Sequence, residues 1–364
     1  MAKGGKMRLG VLTSGGDCAG LNAIIRAVVY RAVEGNGWPV FGIREGTRGL
    51  LERPMLVDSL DLSILRGGTL LREGGTMLGT VNKGNPFAYP MPDGSAQDRS
   101  QEVIDGFNEL KLDALVGIGG DGSMKILSRL ARQGGIQFIG VPKTIDNDVA
   151  FTEFSVGFST AVDTAVDALD RLQPTAASHR RVMILEVMGR DAGHLALSAG
   201  IAGGADVILI PEIPYSVKKV AEKINGLHER GRNHALVVCS EAIKLADGEA
   251  VFQEHQDGEV RYGGVANLLC AQIAKEIEAE VRATVLGHVQ RGGIPDSRDR
   301  IIASAFGVYA VDLIAQGKSD RLVVWQHREV VDVPLEEVIT RYNRVDLGGT
   351  LVRTARGMGI CLGD

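Results

Sequence analysis

The chain has little cysteine, little excess charge and no long apolar run. Its four cysteines, Cys18, Cys239, Cys270 and Cys361, lie far apart, with no CxxC pair and no histidine cluster. That spacing indicates neither a zinc site nor a disulfide framework, and points to reduced thiols in a cytoplasmic protein. The net charge of −5 at pH 7 offers no polycationic surface, so nucleic acid is not expected as a partner. No run approaches the roughly 18 apolar residues of a membrane span, and LGVL is too short for a signal-peptide core, so no membrane partner is expected. Low-complexity tracts and repeats of fixed period are missing too. The phosphate-binding pattern GxxxxGK[ST] is also absent, which excludes a P-loop kinase.

What is present is a large α/β pattern. At 364 residues the chain exceeds one ordinary core, so two domains, or one large α/β unit with an elaboration, are expected. Glycine is abundant, at 48 residues, and clusters directly after apolar runs, where backbone can approach a ligand closely. A short apolar strand, a turn rich in Gly, Asp and Arg, and an amphipathic helix recur as a unit. RLGVLTSGGD leads into a helix with Leu21, Ile24, Ile25, Val28 and Ala32 in register. DALVGIGGDGS leads into MKILSRLA, and RVMILEVMGRDAG into HLALSAGIA and the strand DVILIPEIP. QFIGVPKTIDND precedes a helix expected from about Thr160 to Leu172, with Thr160 and Asp163 spaced as a capping box. ATVLGHVQRGG precedes a helix carrying Ile302, Phe306, Tyr309 and Leu313, expected to stop near Gly317. Apolar strands separated by helices imply parallel sheets covered on both faces, with ligands beyond the carboxyl ends of the strands. The stretch from Gly84 to Asp98, with three prolines, is expected to be a surface excursion.

Three groups of residues carry chemistry. SGGD, with Gly15 and Gly16, and GGDGS, with Gly120, Asp121, Gly122 and Ser123, each follow a strand and open a helix. Backbone N–H groups and the helix dipole then face an anion, although such a turn is often only a tight connection. Gly117, Gly119 and Gly122 also fit the dinucleotide fingerprint GxGxxG, but its acidic residue about 20 positions on is missing, Gln137 standing there. Asp121 would repel a bare pyrophosphate and suits a Mg²⁺ between carboxylate and phosphates. PKTIDNDV is the second group. Asp146 and Asp148 fit a turn, and they also fit phosphoryl transfer to an alcohol, which needs one carboxylate for the hydroxyl proton and another to organise a metal. The third group, SHRR, MGR, RATVLGHVQR and Glu241 in VVCSEAI, is mainly cationic. Each arginine alone fits a solvated surface charge. Several following apolar strands would converge on a phosphate monoester, with Glu241 accepting from sugar hydroxyls.

Together these motifs make the chain similar to the 6-phosphofructokinases over nearly its full length. LTSGGD, GGDGS, PKTIDND, SHRR, EVMGRDAG, AGGAD and GHVQRGG stand in the family's order and approximate spacing. The resemblance implies transfer of a phosphoryl group to the 1-hydroxyl of fructose 6-phosphate. It implies two interleaved, doubly wound α/β domains with mostly parallel sheets. The larger, nucleotide-binding domain would comprise 1–157 with 291–345, and the smaller, sugar-phosphate-binding domain 158–290 with 346–364. Asp146 matches the family's general base, with Lys143, Thr144 and Asp148 beside it and Arg190 stabilising charge in transfer. Asp121 matches the Mg²⁺ ligand. Gly15, Gly16, Asn82, Lys83 and Gly120 to Ser123 match the nucleotide-phosphate site. Thr144, Ile145, Asp146, Met188, Gly189, Arg190, Glu241, His288 and Arg291 match the sugar-phosphate site. Arg181 and Arg282 match arginines that enter a neighbouring subunit's site, which implies a homo-oligomer, expected as a tetramer with a dimer as the alternative.

Two departures bear on the phosphoryl donor. Asn82 and Lys83 stand where many bacterial ATP-dependent members have arginine. In pyrophosphate-using relatives aspartate replaces Gly122 and a lysine stands at the position of Lys143, so Gly122 with Lys143 is a mixed signature. An aspartate would exclude ATP by clash and repulsion, whereas a lysine excludes nothing, so ATP is the expected donor and pyrophosphate the alternative. Remaining rivals are a nicotinamide-dependent oxidoreductase and a non-catalytic sugar-phosphate sensor. Arg26, on the first helix, matches an allosteric nucleotide position of some relatives and equally fits a solvated arginine.

Overall fold

The computed structural model describes residues 6–244, 250–254 and 260–364. The chain opens with β1 (Leu9–Thr13), α1 (Leu21–Tyr30), β2 (Val40–Ile43), α2 (Arg48–Leu51), β3 (Val57–Leu60), the two-residue pair β4 (Tyr89–Pro90) and β5 (Ala96–Gln97), α3 (Ser100–Glu109), β6 (Ala114–Gly119), α4 (Asp121–Gly134) and β7 (Gln137–Pro142). There follow α5 (Phe158–His179), β8 (Val182–Val187), α6 (His194–Ala202), β9 (Val207–Leu209), α7 (Val217–Glu229), β10 (Ala235–Ser240), the pair β11 (Phe252–Glu254) and β12 (Val260–Tyr262), α8 (Val265–Ile273) and β13 (Val281–Val285). The chain closes with α9 (Ser297–Ala315), β14 (Arg321–Gln326), β15 (Glu329–Pro334), α10 (Leu335–Val338) and α11 (Thr350–Gly357).

The fold is α/β and falls into two compact units that alternate along the chain. The first takes residues up to Thr144, Val149–Ser159 and Arg291–Tyr342; the second takes Ile145–Asp148, Thr160–Gln290 and Asn343–Asp364. The first unit is built on a seven-stranded sheet in the order β15-β14-β7-β6-β1-β2-β3. Its pairings from β14 to β2 are parallel, and β15 and β3 close the edges antiparallel. The second has a wholly parallel four-stranded sheet, β13-β8-β10-β9. Strands β1, β6, β8 and β10 are buried at every residue, which is why they read as near-continuous apolar runs rather than alternating; the one charged side chain among them, Glu186 of β8, accepts the N–H groups of Gly264 and Ala266 at 2.8 Å each.

Glycine sets how closely helices approach. In the first unit a Cβ on Gly307 of α9 would lie 2.6 Å from the Cβ of Ala27 and 2.7 Å from the carbonyl oxygen of Ile24, so α9 and α1 cross backbone to backbone. A Cβ on Gly117 would meet Phe138 at 2.7 Å and Leu127 at 2.8 Å, and one on Gly119 would meet the Cβ of Ser123 at 2.5 Å. These two glycines let α4 settle on β6, which accounts for the first two glycines of GxGxxG by packing, without a dinucleotide.

One helix differs from expectation. Helix α5 begins at Phe158 and runs through Pro174 to His179. Thr160 is therefore inside the first turn rather than its cap, and the helix continues past Leu172 because Leu172 and Ala176 pack with Met183 and Leu236. The Gly84–Asp98 stretch carries the β4–β5 hairpin, exposed from Pro92 to Gln97. No helix among the described residues is long and apolar enough to cross a membrane.

Candidate active site

In the first unit the strand order reverses between β1 and β6: β1 is followed by its neighbour β2 on one side, and β6 by β7 on the other. A crevice opens at such a switch point, beyond the carboxyl ends of the strands. The SGGD loop after β1 and the GGDGS turn after β6 both lie there. The Ser14 N–H donates to the Ile118 carbonyl at 2.9 Å, tying the start of one loop to the end of the other strand. Gly15 takes φ 78°, and its Cβ position lies 3.1 Å from Ser123 Oγ. A Cβ on Gly16 would lie 2.9 Å from Arg291 Nη1.

Asp121 is the first residue of α4, largely buried, with Lys125 Nζ 3.8 Å away one turn on. A Cβ on Gly122 meets nothing within 4 Å, and its φ is not in the left-handed region. Neither packing nor backbone conformation therefore demands glycine at 122. Asn82 and Lys83 lie exposed after the Thr76–Thr80 segment. That segment is anchored by Thr13 Oγ1 donating to the Gly79 carbonyl at 2.7 Å and by the Asn22 side chain accepting the Met77 N–H at 2.7 Å. Thr144 is half-buried, its N–H donating to the Val156 carbonyl at 3.2 Å.

Lys143 is buried at the end of β7, and its ammonium turns back onto the SGGD loop, donating to the carbonyls of Ser14, at 3.2 Å, and Gly16. Arg291 also takes an unexpected partner: Nη1 donates to the Asp17 carbonyl at 3.1 Å, so it too grips the loop. Arg26, which fits either an allosteric nucleotide position or a solvated arginine, is half-buried with its guanidinium 4.8 Å from the Tyr30 ring centroid.

In the second unit the order reverses between β8 and β10. After β8, Gly189 and Arg190 donate their N–H groups to Glu241 Oε1 at 3.3 and 3.1 Å, and Met188 donates its N–H to Gln290 Oε1 at 2.9 Å. Glu241 follows β10, so the two loops are joined through one carboxylate. Arg190 is held at φ 52°, in the left-handed region. Burial, with the nearby Asp146 carboxylate adding to it, pushes the Glu241 carboxyl up to about 7, against the opposing pull of the two N–H donors.

The segment Ile145–Asp148 belongs to this unit. Ile145 is fully buried, Asp146 and Asp148 nearly so. Asn343 fixes the backbone, its side-chain amide donating to the Asn147 carbonyl at 2.9 Å and its N–H to the Asp148 carbonyl at 3.0 Å. Asp148 Oδ2 lies 3.9 Å from Arg190 Nη1. Asp146, Asp148, Gly189, Arg190 and Glu241 thus form one cluster. His288 is exposed on the turn Gly287–Arg291, with no bond to that cluster among the described residues.

Arg181 and Arg282 correct the expectation that the arginines follow strands. They sit at the starts of β8 and β13, at the opposite end of the sheet from Met188–Arg190, and both guanidinium groups bind the Glu280 carboxylate. With six residues of β8 between, the separation is about 20 Å at the rise of an extended strand. Sequence reasoning also missed Gln290, Thr80 and Asn22 as anchors; Gln290 stands inside GHVQRGG, but the partners of all three are remote in sequence.

A cavity of about 460 Å³ opens at the amino end of β7 and β14, lined by Arg132, Gln137, Ser319 and Asp320 among others. Arg132 and Asp320 pair with each other, and Gln137 donates to the carbonyls of Ile314 and Lys318. Its polar groups are mutually satisfied and far from the loops described above.

Glycine loops at a switch point, a carboxylate opening a helix and a second cluster of carboxylates and arginine define an α/β protein that handles phosphate groups. The phosphofructokinase family model matches residues 8–314. The chain is 58% identical over 357 residues to the ATP-dependent 6-phosphofructokinase 1 of Synechocystis sp., covering 98% of each chain, and 44% identical to the ATP-dependent 6-phosphofructokinase 2 of Clostridium perfringens, covering 98% of each. Among solved structures, phosphofructokinase from Saccharomyces cerevisiae superposes with a TM-score of 0.81 at 28% identity; the match covers 92% of this chain and 45% of that one. Pyrophosphate-dependent phosphofructokinase from Nitrosospira multiformis, at 22% identity and TM-score 0.79, covers 99% of this chain and 93% of that one, and shares the fold. The chain belongs to the phosphofructokinase family.

Proposed function

We propose that the protein transfers the γ-phosphoryl group of ATP to the 1-hydroxyl of fructose 6-phosphate, giving fructose 1,6-bisphosphate and ADP. The observation that carries the choice of donor is the open space at Gly122. Its glycine is required by neither packing nor φ, so the space it leaves is accounted for by a nucleotide beyond the phosphates. The names of the relatives from Synechocystis and Clostridium support the same donor. Lys143, which matches the lysine of pyrophosphate-using relatives, is engaged with the loop carbonyls.

The first unit is the nucleotide-binding domain and the second the sugar-phosphate domain. N–H groups of Gly15, Gly16 and the start of α4 hold the donor phosphates, with Lys83 beside them. Asp121 is a single carboxylate at a helix start, a donor set that fits Mg²⁺, which binds through one or two carboxylates plus substrate phosphates. Bound there, the ion would offset charge on the donor phosphates. Asp146 accepts the proton of the 1-hydroxyl, Asp148 holds Arg190, and Arg190 stabilises charge on the transferring group. Glu241 accepts hydrogen bonds from sugar hydroxyls. His288 binds the 6-phosphate with Arg181 and Arg282 of a neighbouring copy, in a homo-oligomer taken to be a tetramer.

The test is a donor comparison on purified protein with Mg²⁺ at saturating fructose 6-phosphate. Fructose 1,6-bisphosphate is expected with ATP and not with pyrophosphate. The reverse pattern would replace this reading with the pyrophosphate-dependent one.

A further inference from the structure

The loop Ser14–Asp17 has a property that its sequence hides: side chains take all four of its carbonyl oxygens. Lys143 Nζ donates to Ser14 O and Gly16 O, Thr80 Oγ1 donates to Gly15 O at 2.5 Å, and Arg291 Nη1 donates to Asp17 O at 3.1 Å. The three donors bond across 65 or more residues of the chain, and all belong to the first unit. On the other side of the same peptide planes, the N–H groups of Gly15, Gly16 and Asp17 donate to nothing among the described residues. A peptide plane has its carbonyl and N–H on opposite edges, so gripping the carbonyls fixes the direction of the N–H groups. Donors fixed in advance cost no reorganisation when an anion arrives.

We infer that Lys143, together with Thr80 and Arg291, is a positioning residue that clamps this loop through its carbonyls and keeps its N–H groups available for the donor's phosphates. This rests on the functional reading above. It assigns Lys143 a role in loop geometry in place of direct contact with the phosphoryl donor. An ammonium has three N–H donors, and carbonyls of the loop occupy two of them. Thr80 has no charge, so its contribution to anion binding acts only through the loop.

The experiment is a double-mutant cycle of Lys143→Met and Thr80→Val on the full-length protein, with Lys143→Arg as the conservative variant. The first readout needs no ligand: amide hydrogen exchange at Ser14, whose N–H donates to Ile118 in the clamped loop. It is expected to quicken about tenfold or more in either single variant, and to recover in part in Lys143→Arg, because a released loop opens locally. The second is ADP affinity by calorimetry, expected to fall about tenfold in Lys143→Met and less in Thr80→Val, with the double variant weaker than wild type by less than the product of the two. Unchanged Ser14 exchange in both single variants overturns the inference. So do effects on ADP that multiply, since a lysine touching the donor directly would act independently of Thr80. If the wild type fails to use ATP, the functional reading falls, while Ser14 exchange still decides the clamp.

Discussion

Gly122 and Glu241 concentrate the chemistry at the scale of single residues. An aspartate at 122 would stand in the first turn of α4, where a negative charge is favourable, and its Cβ meets nothing within 4 Å. Gly122→Asp is therefore expected to leave the melting temperature within a few degrees of wild type, since a harmless surface change is worth about ±0.5 kcal/mol. It is expected to weaken ATP about a hundredfold or more, as a desolvated like-charge contact costs several kcal/mol. Steady-state KM for ATP beside a thermal melt checks both halves. Glu241 gives a pH dependence. Its carboxyl is raised to about 7 by burial, so the folded state holds this proton more tightly than the unfolded chain does. Stability from this group is present below the unfolded value and is lost as pH rises towards 7. Sugar binding in the role proposed for Glu241 would run the other way, because the ionised form is acceptor-only. KM for fructose 6-phosphate is expected to rise about tenfold per unit as pH falls below 7, at the limiting slope for one proton. In Glu241→Gln that inflection is expected to vanish, with KM high at every pH. A profile unchanged by the substitution would detach Glu241 from the sugar. Asp146→Asn carries the remaining residue-scale expectation: kcat lower by about two orders of magnitude or more, as for loss of a general base, with fructose 6-phosphate affinity near normal by equilibrium binding.

At the scale of elements, the apolar runs and the turns after them were legible because parallel strands buried on both faces need continuous Val, Ile and Leu, and each helix then needs its own 3.6-residue stripe. Helix α9 is an example, with Ile302, Phe306 and Leu313 buried and Tyr309 half-buried. What a run cannot tell is which end of its strand a flanking charge occupies. Arg181 and Arg190 flank the same strand, β8, one before it and one after. Lys143 was legible as a lysine at a strand end, but its direction depends on carbonyls 127 and 129 residues earlier. The Thr160 cap was misread because Phe158 and Ser159 already have helical backbone. Close crossings are similarly hidden. Gly307 reads as a weak point in a helix, yet it is where α9 touches α1. Gly307→Ala, which by propensity alone would stabilise the helix by about 1 kcal/mol, is expected instead to destabilise by about 1–3 kcal/mol through overpacking. Urea unfolding with an unchanged m-value would read this out; a stabilised variant would mean that the helices separate freely.

At the scale of the whole molecule, the placement of Arg181 and Arg282 bears on the assembly in which the proposed reaction would run. Both are held by Glu280 at the end of the second sheet remote from the Met188–Arg190 loop, so neither reaches that loop within its own chain. If they serve a neighbour across a two-fold axis, each active site combines a base from one copy with arginines from the other. Subunits carrying Asp146→Asn and subunits carrying Arg282→Ser are then each nearly inactive alone. Mixed in equal amounts and reassembled, half the pairs are hybrids, and every hybrid has one site with both residues intact and one with neither. Recovery is expected at about a quarter of wild-type activity, the value for random pairing in a two-fold interface. Activity no greater than the sum of the two parents would mean that each copy completes its own site, and Arg282 would then be only a partner for Glu280.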